Sequence, residues 1–300
     1  MRWKKVGLIF NVDGTLDWAQ SHASVPFAYN IKQSIFRIYF SSRDLEGKSR
    51  PGFFEIDLDH PTQIENITGP LLELGALGQF DESGVMPCWI TKDGLNHKLY
   101  YIGWNQGKSV PFRNSIGRAT SGDGIHFSKE FAGPILDRGI HDPCFTASCC
   151  VLIESGVWKM WYLSCVSWEM KNGKPEHRYH IKYAESDDGI EWRRSGVVCI
   201  DFSSSDEYAI SRPSVIKDQS GYKMWYSYRG SHYSIGYAES FDGINWIRKD
   251  AEAGIDVSVD GWDSEMIEYP HVLSHGGKLY MFYNGNGYGK SGIGLAVIGN

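Results

Sequence analysis

One seven-residue stretch is written three times along the chain, as SGDGIHF at 121–127, SDDGIEW at 186–192 and SFDGINW at 240–246. Asp-Gly between alternating apolar residues signals a tight β-hairpin, because the turn needs positive φ and glycine supplies it without steric cost. Each copy therefore predicts a junction between two strands. Upstream of each lies an apolar strand (IGRA, IKYA, IGYA), and further upstream another (LYYIG, KMWYL, KMWY). Before that comes a segment led by a proline.

Leading prolines at 26, 87, 143, 213 and 270 are separated by 61, 56, 70 and 57 residues. Repeats of this length with four short strands each are the mark of a β-propeller. The expected fold is all-β: a single domain over 1–300, a five-bladed β-propeller of four-stranded antiparallel blades. The fifth repeat runs through Pro270, LYMFY at 279–283 and GIGLAV at 292–297, and lacks its fourth strand. The opening residues, RWKKVGLI at 2–9, read like the fourth strand EWRRSGVV at 191–198. The N-terminal strand is thus expected to close the last blade and remove its open edges.

With 42% hydrophobic and 14% aromatic residues the chain can build a large core, and a net charge of −6 argues against a nucleic-acid surface. The first residues hold too short an apolar run for a signal peptide, and no run approaches a membrane helix. A soluble, cytoplasmic protein is expected. The six cysteines include no C-x-x-C pair and read as buried reduced thiols, and no ligand run resembles a calcium loop, so no metal or other cofactor is expected, an axial calcium near His22 or His141 being the alternative. Oligomeric state is not legible.

In a propeller the first strand of every blade lines the axis. The residues just before each leading proline should therefore converge: Ser24 and Val25, Val85 and Met86, His141 and Asp142, Ser211 and Arg212, Glu268 and Tyr269. Slightly earlier lie His22, Asp81, Glu82, Glu207 and Glu265, with Asp263 close by. Facing carboxylates are how glycosidases divide acid and base roles. Asp142, Glu207 and Glu268 are the candidate catalytic carboxyls, against the plainer reading of strand caps and interblade ties. A second set follows the second strands: Arg43, Trp104 with Asn105, Arg229, and Asn284 with Asn286. Arginine there suits a phosphate or carboxylate and asparagine a sugar hydroxyl; surface salt bridging is the alternative. Trp104 and Trp262 are candidate pyranose platforms. Long polar excursions at 105–114 and 167–178 read as functional or mobile insertions.

This pattern resembles the five-bladed propellers of the superfamily that includes family 43 arabinanases and β-xylosidases, invertase-like family 32 and the family 130 mannoside phosphorylases. The sharpest match is His141-Asp142-Pro143, similar to the axial Asp-Pro of those families. Family 43 carries a further Asp-Pro in the first blade and a glutamate in the fourth, where this chain has Ser24-Val25-Pro26 and Ser211-Arg212-Pro213. The resemblance implies a carbohydrate-active enzyme, with Asp142 as acid and Glu207 or Glu268 as its partner. The substrate is a carbohydrate or sugar phosphate. The alternative of a phosphorylase, or of a transferase using a phosphorylated sugar, would require Arg43, Arg212 and Arg229 to converge on one anion. A non-catalytic sugar-binding propeller is the rival.

Overall fold

The computed structural model describes residues 1–299, and its secondary structure there is strands plus one 3-10 turn at Asp250–Glu252. The chain forms two compact units, one of Met1–Leu71 with Ser214–Asn300 and the other of Leu72–Pro213. The first unit opens with β1 (Lys4–Phe10), β2 (Ser21–Lys32), β3 (Ile35–Arg43), β4 (Ser49–Asp57) and β5 (Ile64–Thr68). The second carries β6 (Gly84–Asp93), β7 (Asn96–Gln106), β8 (Phe112–Ser121), β9 (Ser128–Lys129), β10 (Phe145–Glu154), β11 (Val157–Lys171), β12 (Lys174–Ser186) and β13 (Val198–Ile200). The unit boundary falls within β14 (Ala209–Asp218). The chain then returns to the first unit with β15 (Gly221–Arg229), β16 (Tyr233–Ser240), β17 (Ile247–Arg248), β18 (Glu268–His275), β19 (Lys278–Asn284) and β20 (Ile293–Ile298).

Each repeat becomes an antiparallel meander. In the first unit β2, β3, β4 and β5 pair in order, β14 to β17 follow, and β18, β19 and β20 pair in order. The N-terminal strand joins this last sheet as expected: β1 lies antiparallel to β20, with Lys4 opposite Val297 and Phe10 opposite Ile293. In the second unit β6 to β9 form one meander and β10 to β13 another.

The second strand of each repeat has neighbours on both sides, which is why it reads as an apolar run rather than an alternation. Tyr39, Tyr100, Trp161, Trp225 and Phe282 on these strands are wholly buried. Buried residues of the first unit gather in clusters. One holds Phe10, Phe40, Phe54 and Phe282, and another Trp3, Trp225, Tyr237 and Tyr283. Trp3 anchors the start of β1 by donating its indole N–H to the Ala253 carbonyl at 3.0 Å.

Three local readings are corrected. The Asp-Gly stretches are not two-residue hairpins. They are longer loops in which only the glycine (Gly124, Gly189, Gly243) takes positive φ, while the serine hydroxyl accepts from the glycine N–H. The excursions at 105–114 and 167–178 are largely paired, because β7 and β8 stay in register to Gln106 opposite Phe112, and β11 and β12 to Lys171 opposite Lys174. The repeat phase in the third segment also differs. Pro87 sits inside β6 opposite Tyr101, whereas Pro143 precedes β10 and Cys149 occupies the place opposite Tyr162.

Candidate active site

Asp142 therefore lies outside the first strand of its sheet. It is fully buried, and both its oxygens accept from the Tyr162 hydroxyl at 3.2 Å. Arg194 donates to it at 2.8 Å and the Lys182 ammonium stands 3.6 Å away. This is one copy of a recurring tie. In the same unit Asp81 accepts from Tyr101 at 3.2 Å and from Lys129 at 2.6 Å. In the other unit Asp263 accepts from Tyr283 at 2.9 Å and from Lys5 at 2.7 Å. Asp250 makes a variant with Tyr226 at 2.5 Å and Arg248 at 2.6 Å. In each case the aspartate fastens the tyrosine of a second strand to a base on or beside the outer strand of the sheet. Burial, then the adjacent carboxylate, pushes the phenols of Tyr101, Tyr162 and Tyr283 well up, so they stay neutral donors. With two cations and a phenol on its oxygens, Asp142 makes the same kind of tie as Asp81 and Asp263.

Glu268 is the opposite case. It opens β18 opposite Asn284, is fully buried, and neither oxygen has a hydrogen bond of normal geometry among the described residues. Burial pushes its carboxyl well above the usual range, and the Arg229 charge and the Tyr269 side chain offset only part of that. A carboxyl kept neutral by a dry site is chemically a proton donor.

Its surroundings are built. Tyr269, the next residue, has φ 54°, and its amide donates to the Ser227 hydroxyl at 2.7 Å. Two other pre-proline residues share this left-handed conformation. Val25, at φ 53°, donates its amide to the Asn284 side chain, and Arg212, at φ 55°, donates to Ser148. For a β-branched valine before proline such backbone is costly and persists only where its surroundings impose it. Arg229 stacks over Tyr233 and Tyr288, with its guanidinium carbon 5.3 and 5.8 Å from the ring centres, and donates to the Tyr288 hydroxyl at 2.6 Å. Tyr233 in turn lies 6.2 Å from Tyr269. Glu268, Tyr269, Arg229 and Tyr288 are thus one cluster within the first unit.

The remaining sequence candidates divide between the units. His22, at φ 65°, and Arg43 lie in the first unit, where Ser21 pairs with Arg43 across β2 and β3. Burial, Arg43 and Lys290 together lower the His22 imidazole to about 4. Asn284 is buried with its amide spent on Val25 N–H and the Ala23 and Gly292 carbonyls, so it positions backbone. Asn286 is likewise occupied by the amides of Glu265 and Met266 and the Gly261 carbonyl. The Trp262 ring covers Gly285 and Gly294 and lies 5.2 Å from Tyr283, which makes it packing for that sheet and not a free platform. Glu265 is exposed.

In the second unit Trp104 lies against Gly84, and Asn105 pairs with Arg113 between β7 and β8. His141 packs on Gly196 while its carbonyl accepts from Lys182. Glu207 is buried and accepts from the Ser203 amide at 2.7 Å. The buried Arg212 guanidinium donates to the Pro87 carbonyl at 3.0 Å, so neither unit by itself gathers Arg43, Arg212 and Arg229 around one anion. The sequence reading missed Tyr288 and Lys290. Their signal was the glycine-spaced run GNGYGKSG at 285–292, in which Gly287, Tyr288, Gly289 and Gly292 all take positive φ.

No protein-family model matches the sequence. Two relatives from strains of Mycobacterium tuberculosis, uncharacterized protein MT1551 and uncharacterized protein Rv1502, are each 42% identical over 301 residues, covering 100% of this chain and of the relative. Among solved structures, a glycosyl hydrolase from Bacteroides ovatus matches with a TM-score of 0.71 at 18% identity, covering 97% of this chain and 90% of that one. A thermostable family-43 glycoside hydrolase matches at 0.71 and 19%, over 92% and 89%. A member of the GH130 family, whose mannoside phosphorylases include hydrolases of β-1,2 mannosidic linkages in Candida mannan, matches at 0.68 and 15%, over 93% and 85%. These likenesses show a shared propeller-type all-β fold.

Proposed function

We propose that this chain, which belongs to the family of the Mycobacterium tuberculosis proteins Rv1502 and MT1551, is a glycosidase with Glu268 as its proton donor. The observation that carries the reading is a fully buried carboxyl, without a normal hydrogen bond among the described residues, pushed up by burial beside Arg229. A neutral glutamic acid can protonate a departing glycosidic oxygen while a water, or inorganic phosphate in phosphorolysis, bonds to the anomeric carbon and its surplus proton passes to solvent, and Arg229 stabilises the carboxylate left on Glu268. Solved neighbours named as glycoside hydrolases support the reaction class. On this reading the five repeat sheets count as five blades of one domain, and the substrate is a carbohydrate met in the cytoplasm, in keeping with six free thiols.

The test is a screen of aryl glycosides and sugar 1-phosphates, with and without inorganic phosphate, on the native protein, Glu268→Gln and Asp142→Asn. Native turnover that falls about 10²- to 10⁴-fold in Glu268→Gln is the expected outcome. Turnover that needs phosphate would identify a phosphorylase. Saturable sugar binding with no turnover would identify a non-catalytic propeller and remove the proposal.

A further inference from the structure

Three groups gather on one rim of the first unit with no negative charge to meet them. Arg43 ends β3 and is exposed, Lys290 is exposed on the 285–292 loop, and His22 is half-buried between them. Among the described residues none of the three pairs with a carboxylate, although the chain as a whole carries a net charge of −6. A local excess of positive charge in an acidic protein is a costly arrangement that an anion relieves.

The backbone that presents them is fixed. Gln20 N–H donates to the Arg43 carbonyl at 2.8 Å, and Ser42 donates its hydroxyl to the Ser21 carbonyl at 3.0 Å. The loop is laid over β2 by Ala23 N–H to the Gly289 carbonyl at 2.9 Å and by the Ser24 hydroxyl to the Tyr288 carbonyl at 2.7 Å. A Cβ at Gly289 would stand 2.7 Å from the Ser24 hydroxyl oxygen, so only glycine allows the loop to lie so close. The same loop carries Tyr288, which Arg229 grips beside Glu268. Asn284, opposite Glu268, holds Val25 N–H and the Ala23 carbonyl just beyond His22. The cationic rim and the buried carboxyl are thus tied to each other by short hydrogen-bonded paths.

We infer that the sugar taken beside Glu268 carries an oxyanion of its own, a carboxylate or a phosphate ester, gripped by Arg43 and Lys290 beside His22. This rests on the glycosidase reading for its location. The cations are long and exposed, which suits a group projecting from a ring that lies against Tyr269 and Tyr288, and a guanidinium takes either oxyanion in bidentate fashion. The His22 imidazole, lowered to about 4 by burial first and then by these two cations, stands beside the group as a neutral hydrogen-bonding side chain.

The measurement is calorimetric binding of a 4-nitrophenyl glucuronide, a sugar phosphate, the neutral 4-nitrophenyl glucoside and inorganic phosphate. The proteins are the native chain, Glu268→Gln and the Arg43→Gln/Lys290→Gln double variant, with Lys290→Arg as the charge-keeping control. The expected result is a preference of about tenfold or more for one sugar anion over the neutral sugar, kept in Glu268→Gln and Lys290→Arg and lost in the double variant. Whether carboxylate or phosphate wins names the anion. Equal binding of neutral and anionic sugars, inorganic phosphate binding as tightly as the sugar anion, or a preference surviving in the double variant would overturn the inference. Because Glu268→Gln is read by binding, unchanged turnover in that variant sinks the catalytic reading without touching this one.

Discussion

Asp263 accepts a hydrogen bond at 2.9 Å from the hydroxyl of Tyr283, twenty residues downstream, and the same separation of 20 joins Asp81 to Tyr101 and Asp142 to Tyr162. Equal spacing across different loops means that the partnership is a part of the repeat and not a feature of any one segment.

Asp142→Asn should consequently behave like Asp81→Asn and Asp263→Asn. Each leaves a base facing a buried tyrosine with no carboxylate, and breaking one partner of a buried ion pair costs about 2 to 4 kcal/mol here, slightly less than for fully enclosed pairs because Arg194 keeps 23% of its side chain exposed. Urea unfolding of the three variants measures it. An Asp142→Asn protein as stable as the native one but devoid of turnover would restore Asp142 to the chemistry.

Glu268 gives the reverse signature. Its folded pKa lies above the unfolded value of about 4.3, so the folded protein binds the extra proton and stability declines as pH rises through that interval. Glutamine mimics the neutral acid. Glu268→Gln should therefore match the native protein near pH 4 and exceed it at pH 8, a difference visible in melting curves taken across that range.

The repeated loops respond to acid in the other direction. Asp242 and Asp188 accept backbone amides first and foremost, and Asp123 the His126 ring, which holds all three carboxyls below the usual aspartate value near 3.9. The stabilisation is complete above that value and lost as pH falls through the depressed folded one. Asp188→Ala and Asp242→Ala should lower the melting temperature at pH 6 and narrow the gap to the native protein by pH 2.5.

Gly294→Ala tests the assignment of Trp262 to packing. The new methyl would stand 2.1 Å from the indole Cη2, so the ring must leave its seat between Gly285 and Gly294, at a cost of about 1 to 3 kcal/mol. Tryptophan fluorescence should shift with the loss of stability. An unchanged protein would mean that Trp262 is free to move and can serve as a platform.

The strands and the pairing of β1 with β20 were readable because they depend on local composition: apolar second strands, turn glycines, and an opening segment that reads like the fourth strand at 191–198. The phase of the third repeat was not. Pro143 mimicked a leading proline, while Ser148 stands near its expected place and receives the Arg212 amide. The constant interval from aspartate to tyrosine carried the correct phase. Glu268 was legible as a candidate from its place before Tyr269 and Pro270, but its lack of partners was not, since that depends on what neighbouring strands decline to offer. Tyr288 and Lys290 escaped notice because a glycine-spaced run says where a backbone can bend and not which side chains it delivers.

The pairing of Lys4 with Val297 sets an order of events during synthesis. At about 5 to 20 residues per second, β1 waits roughly 15 to 60 s after leaving the ribosome before its partner strand emerges. Throughout that time it is an unpaired strand with one alternating apolar face. Its lysines, Lys4 and Lys5, put charge on the waiting strand and oppose pairing with another nascent chain. Lys5 then finds Asp263 only when the sheet is complete, so the residue that guards the open strand is also the one that fastens it shut.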